Sequence, residues 1–162
     1  QPVIAQIHGT AAAAGCQLVA TCDLAIASTT AKFATPGVNI GLFCSTPMVA
    51  VSRKLPRKKM MEMLLMGDLV SAETALEFGL INRVVAYEKL EETVSNYANK
   101  IKEKSPLVLK IGKEAFYNQI DMPLAEAYKY TAEVMTQNML AQDANEGINA
   151  FIEKRQPTWA GK

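Results

Sequence analysis

The chain has 162 residues, of which 49% are hydrophobic and 20% charged, so it is long enough for one domain with a sizeable core. Its 17 basic and 16 acidic residues leave a net charge of +1, which gives no indication of a nucleic-acid-binding surface. A single histidine excludes a histidine-rich metal site, three cysteines without a CxxC pair favour free thiols over disulfides, and no apolar run reaches transmembrane length.

The first predicted elements enclose a turn that is rich in glycine and alanine. Residues 3–7 predict a buried strand, and residues 15–22 predict a short buried helix. The small residues between them let a ligand approach the backbone, and the first amides of a helix have no intrahelical partner. Such a turn can stabilise an oxyanion through backbone N–H groups. Close packing of the helix against the strand is the alternative explanation of the same composition.

The next predicted elements are a second strand and a bent segment. The strand covers residues 23–27, and the bends fall at Pro36-Gly37 and at Gly41. Ser45 or Thr46 is then predicted to cap a helix that begins at residue 47 and runs to about residue 54. Cys44-Ser45 also suggests a nucleophile, but no histidine or carboxylate lies close by in sequence, so capping is the preferred interpretation.

The remaining predicted elements are mostly helical. In chain order they are helices over residues 56–67 and 71–79, a strand over residues 80–85, and helices over residues 89–103, 106–117, from 123 onward, and 147–154. Ser71 is predicted to cap the second of these helices, and Gly79 to end it. Strands and helices are both predicted up to residue 85, and only helices beyond it.

Several short motifs occur in the order and spacing of one known family. They are Gly15-Cys16-Gln17-Leu18, Cys22-Asp23, Phe33-Ala34-Thr35-Pro36, Gly67-Asp68 followed by Ser71-Ala72, Gly79-Leu80, Glu146-Gly147 and Glu153-Lys154-Arg155. Through these motifs, which span nearly the whole chain, the sequence resembles the enoyl-CoA hydratase/isomerase (crotonase) superfamily. The resemblance implies an α/β fold, namely the second part of a crotonase-like ββα superhelix, followed by a C-terminal helical region.

The resemblance also implies a domain organisation and a setting. Residues 1–105 would form the second part of the core, and residues 106–162 a C-terminal helical region for oligomerisation or for covering the site, within one structural domain. The chain opens directly on a strand, whereas family members have an N-terminal half before this point, so we expect a fragment or a short isoform. The family further implies a homotrimer or hexamer and a mitochondrial protein of fatty-acid metabolism, although no transit peptide is recognised.

The motifs assign functional positions of the family to individual residues. Gln17 and Gly37 stand where family hydratases carry two glutamates, and Asn39 where a dienoyl-CoA isomerase of the family carries an aspartate. Local capping of a turn is the alternative role of the two amides. Lys154 corresponds to a lysine that reaches the CoA of a neighbouring subunit, with a surface ion pair as the alternative.

The backbone of Ala14 aligns with the helix-start donor of the family's oxyanion hole. Alanine in place of glycine keeps the N–H group and adds one methyl group. A turn that requires a positive φ would be unfavourable at Ala13 or Ala14. The family's other oxyanion amide, and much of its CoA-binding surface, come from the N-terminal half.

The absence of both glutamates affects the expected chemistry. Hydration of a conjugated double bond needs one group that takes a proton from water and another that delivers a proton to the α-carbon. The Gln17 amide can orient water but cannot exchange a proton near neutral pH, and Gly37 offers only backbone. We therefore expect a protein that binds acyl-CoA without conventional hydratase activity, with no permanently bound cofactor and a coenzyme A thioester as its ligand.

Two other kinds of function stay open. One is an acyl-CoA isomerase, hydratase, decarboxylase or thioesterase that uses other groups, since such reactions need only a stabilised enolate or oxyanion. The other is a non-catalytic partner that assembles with homologous trimers through its C-terminal helices.

Overall fold

A computed structural model describes all residues from 1 to 162. It divides the chain into two compact units, Val3–Ala98 and a second formed by Gln1–Pro2 with Asn99–Lys162. The division falls inside one helix, whereas the sequence placed a boundary between residues 105 and 106. The predicted assignment of these parts to a core and a C-terminal region stays a prediction.

Six short strands form two three-stranded sheets in the unit Val3–Ala98. They are β1 (Ile4–Ile7), β2 (Thr10–Ala12), β3 (Leu24–Ser28), β4 (Lys32–Ala34), β5 (Val70–Ser71) and β6 (Arg83–Val85). One sheet has the order β1-β3-β6 with parallel pairs, and the other has the order β2-β4-β5, in which β4 and β5 are antiparallel. The three predicted strands are confirmed with shifted or shorter bounds. Strands β2, β4 and β5 were not predicted, since two or three residues give no periodic pattern.

Helices cover the two sheets in this unit. They are α1 (Ala14–Thr21), α2 (Pro47–Val51), α3 (Arg57–Met66), α4 (Ala72–Glu77) and the first part of α5 (Leu90–Lys102), with 3-10 turns at Pro36–Ile40 and Tyr87–Lys89. Fully buried side chains from both strands and helices form the core, including Phe33, Ile26, Met63 and Val51. Each large side chain of this kind contributes roughly 1.5–3 kcal/mol through removal of apolar surface from water.

The predicted helix ends are partly correct. The Ser71 side chain accepts a hydrogen bond from the Thr74 N–H at 3.1 Å, as predicted for a cap of α4. The predicted N-cap position of α2 is correct, because Thr46 directly precedes Pro47 at the helix start, but Thr46 has helical backbone angles and its side chain makes no capping hydrogen bond. Helix α2 also ends at Val51 rather than near residue 54, because the chain turns there before Pro56.

The second unit consists of helices and the C-terminal tail. After the end of α5 come α6 (Pro106–Gln119), α7 (Leu124–Met139) and α8 (Gln142–Glu153). The last helix begins five residues before the predicted start at residue 147. Gly147 lies inside the helix, and a Cβ atom built on it would be 3.3 Å from the Trp159 ring. Asp143, which is 1% exposed, accepts hydrogen bonds from the N–H groups of Ala160 and Gly161 and so holds the tail against α8.

Candidate functional site

A cleft of about 520 Å³ lies between the start of α1 and the segment that follows β4. Its walls come from Ala13 and Ala14 on one side and from residues between Pro36 and Pro47 on the other. The cleft therefore brings together three predicted positions, Ala14, Gly37 and Asn39, although they are up to 25 residues apart in sequence. Its volume lies within the usual range for small-molecule sites.

The backbone at the helix start has an unusual conformation at Ala13. Its φ of 49° and ψ of −113° place an alanine in a region that favours glycine, which costs on the order of 1–3 kcal/mol. Two hydrogen bonds hold it there: the Ala13 N–H donates to the Ala34 carbonyl, and the Ala13 carbonyl accepts from the Gln17 N–H, both at 3.0 Å. The unfavourable φ considered from sequence thus occurs at Ala13 and not at Ala14.

The Ala14 N–H is available to a ligand. Ala14 is the first residue of α1, it is exposed, and neither a capping side chain nor a backbone carbonyl accepts a hydrogen bond from its N–H. The first turn of α1 also contains no acidic residue, so its partial positive charge is not neutralised within the helix. An acceptor oxygen in the cleft would find both a donor and a favourable field here.

The backbone of Gly37 is packed closely against Cys44. The Gly37 N–H donates a hydrogen bond to the Cys44 Sγ atom at 3.3 Å. A Cβ atom built on Gly37 would lie 3.1 Å from that sulfur and 3.1 Å from the Leu42 carbonyl oxygen. A side chain at the position where family hydratases carry a glutamate would therefore require the Cys44 sulfur and the neighbouring backbone to shift by a few tenths of an ångström.

The Asn39 side chain is used within the protein. Its Nδ2 atom donates a hydrogen bond to the Gly67 carbonyl oxygen at 3.1 Å, which ties the 3-10 turn to the end of α3. Gly67 has a φ of +66°, and a Cβ atom there would meet Val38 Cγ2 at 2.8 Å and the Asn39 amide at 3.0 Å. This contact joins residues 28 positions apart, so it differs from the local turn cap considered as the alternative for Asn39, and a role toward a ligand stays a prediction.

Gln17 lies one turn into α1 and does not line the cleft. It is half-buried, and its backbone carbonyl accepts a hydrogen bond from the Thr21 hydroxyl at 2.8 Å. Its spacing of three residues from Ala14 puts the two on the same side of the helix. The suggested orientation of water by Gln17 stays a prediction.

Two cysteines lie near the cleft, and the sequence indicated only one of them as a candidate nucleophile. Cys16 is fully buried, and burial, with a smaller effect of the neighbouring Cys44, raises the pKa of its thiol to about 12. Cys16 is therefore an inert core residue. Cys44 lines the cleft, but its close contact with Gly37 had no signal in the sequence, because it depends on the path of the chain between them.

No group of histidine, cysteine, aspartate and glutamate side chains has an arrangement that could hold a metal ion.

Lys154 lies in the second unit, at the end of α8. Its backbone has a left-handed conformation with a φ of 55°, which ends the helix. The ion pairs at this helix end belong to Arg155, which contacts Glu146 at 2.6 Å and Glu153 at 2.5 Å. The Arg155 guanidinium and the Thr158 N–H lower the pKa of Glu146 to about 2. Lys154 itself makes no ion pair, and its contact with CoA phosphate stays a prediction.

The sheet order, the helix start at the cleft and the helical second unit define an α/β protein of the crotonase type. All residues from 1 to 162 match the family described as enoyl-CoA hydratase/isomerase, and the chain belongs to that family. The predicted family and fold class are thereby confirmed.

Three similar proteins illustrate the relationship. The Xenopus laevis protein named enoyl-CoA hydratase domain-containing protein 3, mitochondrial, is 51% identical over 158 residues, which are 98% of this chain and 54% of that protein. A crystal structure of an enoyl-CoA hydratase from Mycobacterium smegmatis has a TM-score of 0.96 at 49% identity, covering 98% of this chain and 62% of the other. A crystal structure of the human enoyl-CoA hydratase domain-containing protein 3 has a TM-score of 0.95 at 50% identity, covering 98% of this chain and 62% of the other.

The chain thus spans about half the length of the frog relative. No helix among its 162 residues combines the length and the hydrophobicity that crossing a bilayer requires.

Proposed function

We propose that this chain binds acyl-CoA thioesters and does not carry out conventional enoyl-CoA hydration. The observation that supports the proposal is the cleft itself, in which a free helix-start N–H at Ala14 faces a wall without a carboxylate at position 37. A thioester carbonyl oxygen is the kind of acceptor that such an N–H binds, and more strongly when negative charge develops on that oxygen. Family membership makes a CoA thioester the ligand to test first.

The expected loss of hydration follows from the missing acid–base groups. Each positioned proton-transfer group typically contributes 10²–10⁴-fold to a rate, and the two glutamate positions are occupied by Gln17 and Gly37. Neither residue can exchange a proton with water near neutral pH. The free Ala14 N–H still favours reactions through an enolate or oxyanion, so an isomerase, decarboxylase or thioesterase activity is the second candidate.

The proposal includes the setting of the protein. The names of the frog, human and rat relatives contain the word mitochondrial, which supports a mitochondrial location. A role in fatty-acid metabolism is part of the proposal and rests on the family resemblance. We propose a homotrimer or hexamer, no cofactor other than the coenzyme A thioester itself, and a contact between Lys154 and CoA phosphate across subunits.

The test measures the binding of octanoyl-CoA to this chain by calorimetry and by thermal shift. Both substitutions at position 14 are made on an Ala13→Gly background, because a proline ring at position 14 would clash with the Cβ atom of Ala13 at its φ of 49° and ψ of −113°. On that background Ala14→Pro removes the N–H at the first position of the helix, where proline is well accepted. Ala14→Gly keeps the N–H and is the matched control, while Gln142→Pro places proline at the first position of α8 as a folding control. We expect about three- to tenfold weaker binding for Ala14→Pro only, since one hydrogen bond is lost.

Four results would change the proposal. A folded chain that binds no CoA thioester, and that co-purifies with homologous subunits, would favour the assembly role instead. Equal binding by Ala14→Pro and Ala14→Gly would show that the Ala14 N–H does not contribute to binding. Hydration of crotonyl-CoA at a rate typical of hydratases would contradict the expected loss of acid–base chemistry, whereas turnover of another thioester would favour the second candidate.

A further inference from the structure

We propose that α3 and the turn before it form a surface that binds membranes containing anionic lipids. This surface is separate from the cleft, and its binding to lipid does not depend on the proposed binding of CoA thioesters.

The turn between α2 and α3 and the first turn of α3 carry a concentrated positive charge. Five of the chain's 17 basic residues lie here within seven positions. All five are exposed, and together they form the basic patch: Arg53, Lys54, Arg57, Lys58 and Lys59. The net charge of +1 for the whole chain therefore conceals a local excess of positive charge that can attract an anionic surface.

Most of the charge in the basic patch is not neutralised within the protein. Lys59 forms an ion pair with Glu62 at 3.2 Å and lies 4.9 Å from the centre of the Phe78 ring. Arg53 donates a hydrogen bond to the Val49 carbonyl oxygen at 2.7 Å, which leaves its charge without a counterion. The other three basic side chains make no ion pair. Four of the five cations are therefore available to an external anion.

The solvent side of α3 also exposes apolar side chains. The helix packs into the core through Met60, Met63 and Leu64. Four large apolar side chains on or just after the helix remain exposed: Met61 at 46%, Leu65 at 59%, Met66 at 60% and Leu69 at 60%. Positions 58, 61 and 65 follow one face of the helix, so a lysine and two apolar side chains share that face.

The combination of cations and exposed apolar side chains favours a lipid surface over other polyanions. Lysine and arginine can place their charged ends among lipid phosphates while neighbouring apolar side chains enter the boundary of the acyl chains. Leucine and methionine adapt to a fluid surface that has no fixed shape. A nucleic acid would leave them uncovered, and residues 47–69 contain no aromatic side chain on which a base could stack.

The experiment measures co-sedimentation of this chain with vesicles. One set contains phosphatidylcholine alone, and the other contains phosphatidylcholine with about one third phosphatidylglycerol. At a salt concentration of about 0.05 M we expect binding to the anionic vesicles only. At about 0.5 M salt the partition coefficient should fall at least tenfold, because ions screen the basic patch.

A pair of matched variants tests the basic patch. Lys54→Gln with Lys58→Gln should weaken binding to anionic vesicles about tenfold or more, since each cation near such a surface strengthens binding severalfold. The control is Lys104→Gln with Lys110→Gln, which removes the same charge from exposed positions of the second unit. This control should change binding less than twofold. All four lysines are exposed, so an unchanged Tm verifies that both variants are folded.

A second pair tests the apolar contact. Leu65→Gln should weaken binding to anionic vesicles about three- to tenfold, because a leucine that enters the lipid boundary is replaced by a polar side chain. The control is Leu18→Gln on α1, where the leucine is 67% exposed but lies outside the proposed surface. Its binding should equal that of the unchanged chain.

Several results would overturn the proposal. The first is a folded chain that does not bind anionic vesicles, or that binds both sets equally. Equal losses in the two lysine variants would show a general effect of net charge, and equal binding by Leu65→Gln and the unchanged chain would exclude the apolar contact. Tighter binding of duplex DNA than of anionic vesicles, at the same concentration of negative charge, would identify a nucleic-acid surface instead.

Discussion

The Gly37 N–H and the Cys44 Sγ atom form a hydrogen bond of 3.3 Å, and the sulfur occupies the space that a side chain at position 37 would need. The Leu42 carbonyl oxygen and the Cys44 nitrogen border the same space at 3.1 and 3.2 Å from a Cβ atom built there. Because two of these neighbours are backbone atoms, the backbone of the segment has to shift by a few tenths of an ångström to admit a side chain.

The first prediction is that a carboxylate cannot simply be restored at position 37. Gly37→Ala should lower the free energy of unfolding by about 1–3 kcal/mol through overpacking, and Gly37→Glu by at least as much. In the Gly37→Ala variant, an additional Cys44→Ala substitution should remove only the part of the destabilisation that comes from contact with the sulfur. Urea unfolding of the two single variants and of Gly37→Ala with Cys44→Ala measures this as a coupling energy. Strict additivity of the two changes would contradict the contact.

The second prediction concerns the strained alanine beside the cleft. Ala13→Gly should raise the free energy of unfolding by roughly 1 kcal/mol, because relief of the positive φ outweighs the entropy that glycine adds to the unfolded chain. The control is Ala132→Gly, at an exposed position inside α7, which should lower it by about 0.5–1 kcal/mol. Urea midpoints measure both, and a destabilised Ala13→Gly variant would refute the strain at Ala13.

The sequence predicted the parts of the fold that depend on local patterns. The apolar run before Gly9, of which only Ile7 is buried, the proline at the start of α2 and the serine at the start of α4 all carry their signals within a few residues. The strands β2 and β4 carry none, because they are three residues long and exist through pairing with each other. A pattern that spans a few residues cannot contain that information.

The candidate site was likewise predictable from the sequence only in part. The family resemblance assigned Ala14, Gln17, Gly37 and Asn39 to one site, and the cleft is lined by all of them except Gln17. The sequence did not indicate that Asn39 would bind the Gly67 carbonyl, 28 residues away, or that Cys44 would fill the space beside Gly37. Both contacts depend on how the turn after β4 packs, which is a tertiary property.

The third prediction is a dependence of stability on pH that comes from Glu146. Its pKa is lowered to about 2 in the folded chain, mainly by Arg155, so its contribution to stability is complete above the unfolded value near 4.5. The contribution is lost as the pH falls from about 4.5 through about 2. Glu146→Gln should therefore lower Tm at pH 7 and flatten the acid part of the Tm curve.

The control for this prediction is Glu133→Gln, which removes one negative charge from an exposed position of α7 where no ion pair is formed. Thermal unfolding between pH 2 and pH 7 gives both curves. An acid slope that is the same in Glu146→Gln and in the unchanged chain would contradict the role of the Glu146–Arg155 pair.

The fourth prediction compares two glycines inside helices of the second unit. Gly112 in α6 has nothing within 4 Å of the place where a Cβ atom would lie, so Gly112→Ala should raise the free energy of unfolding by about 0.5–1 kcal/mol. At Gly147 in α8 the same atom would lie 3.3 Å from the Trp159 ring, and the Trp159 Nε1 atom is held by a hydrogen bond of 2.8 Å to the Glu103 carbonyl. Gly147→Ala should therefore give no gain or a loss, because moving the ring breaks that bond. Urea unfolding measures both variants, and an equal gain at both positions would mean that Trp159 is not fixed against α8.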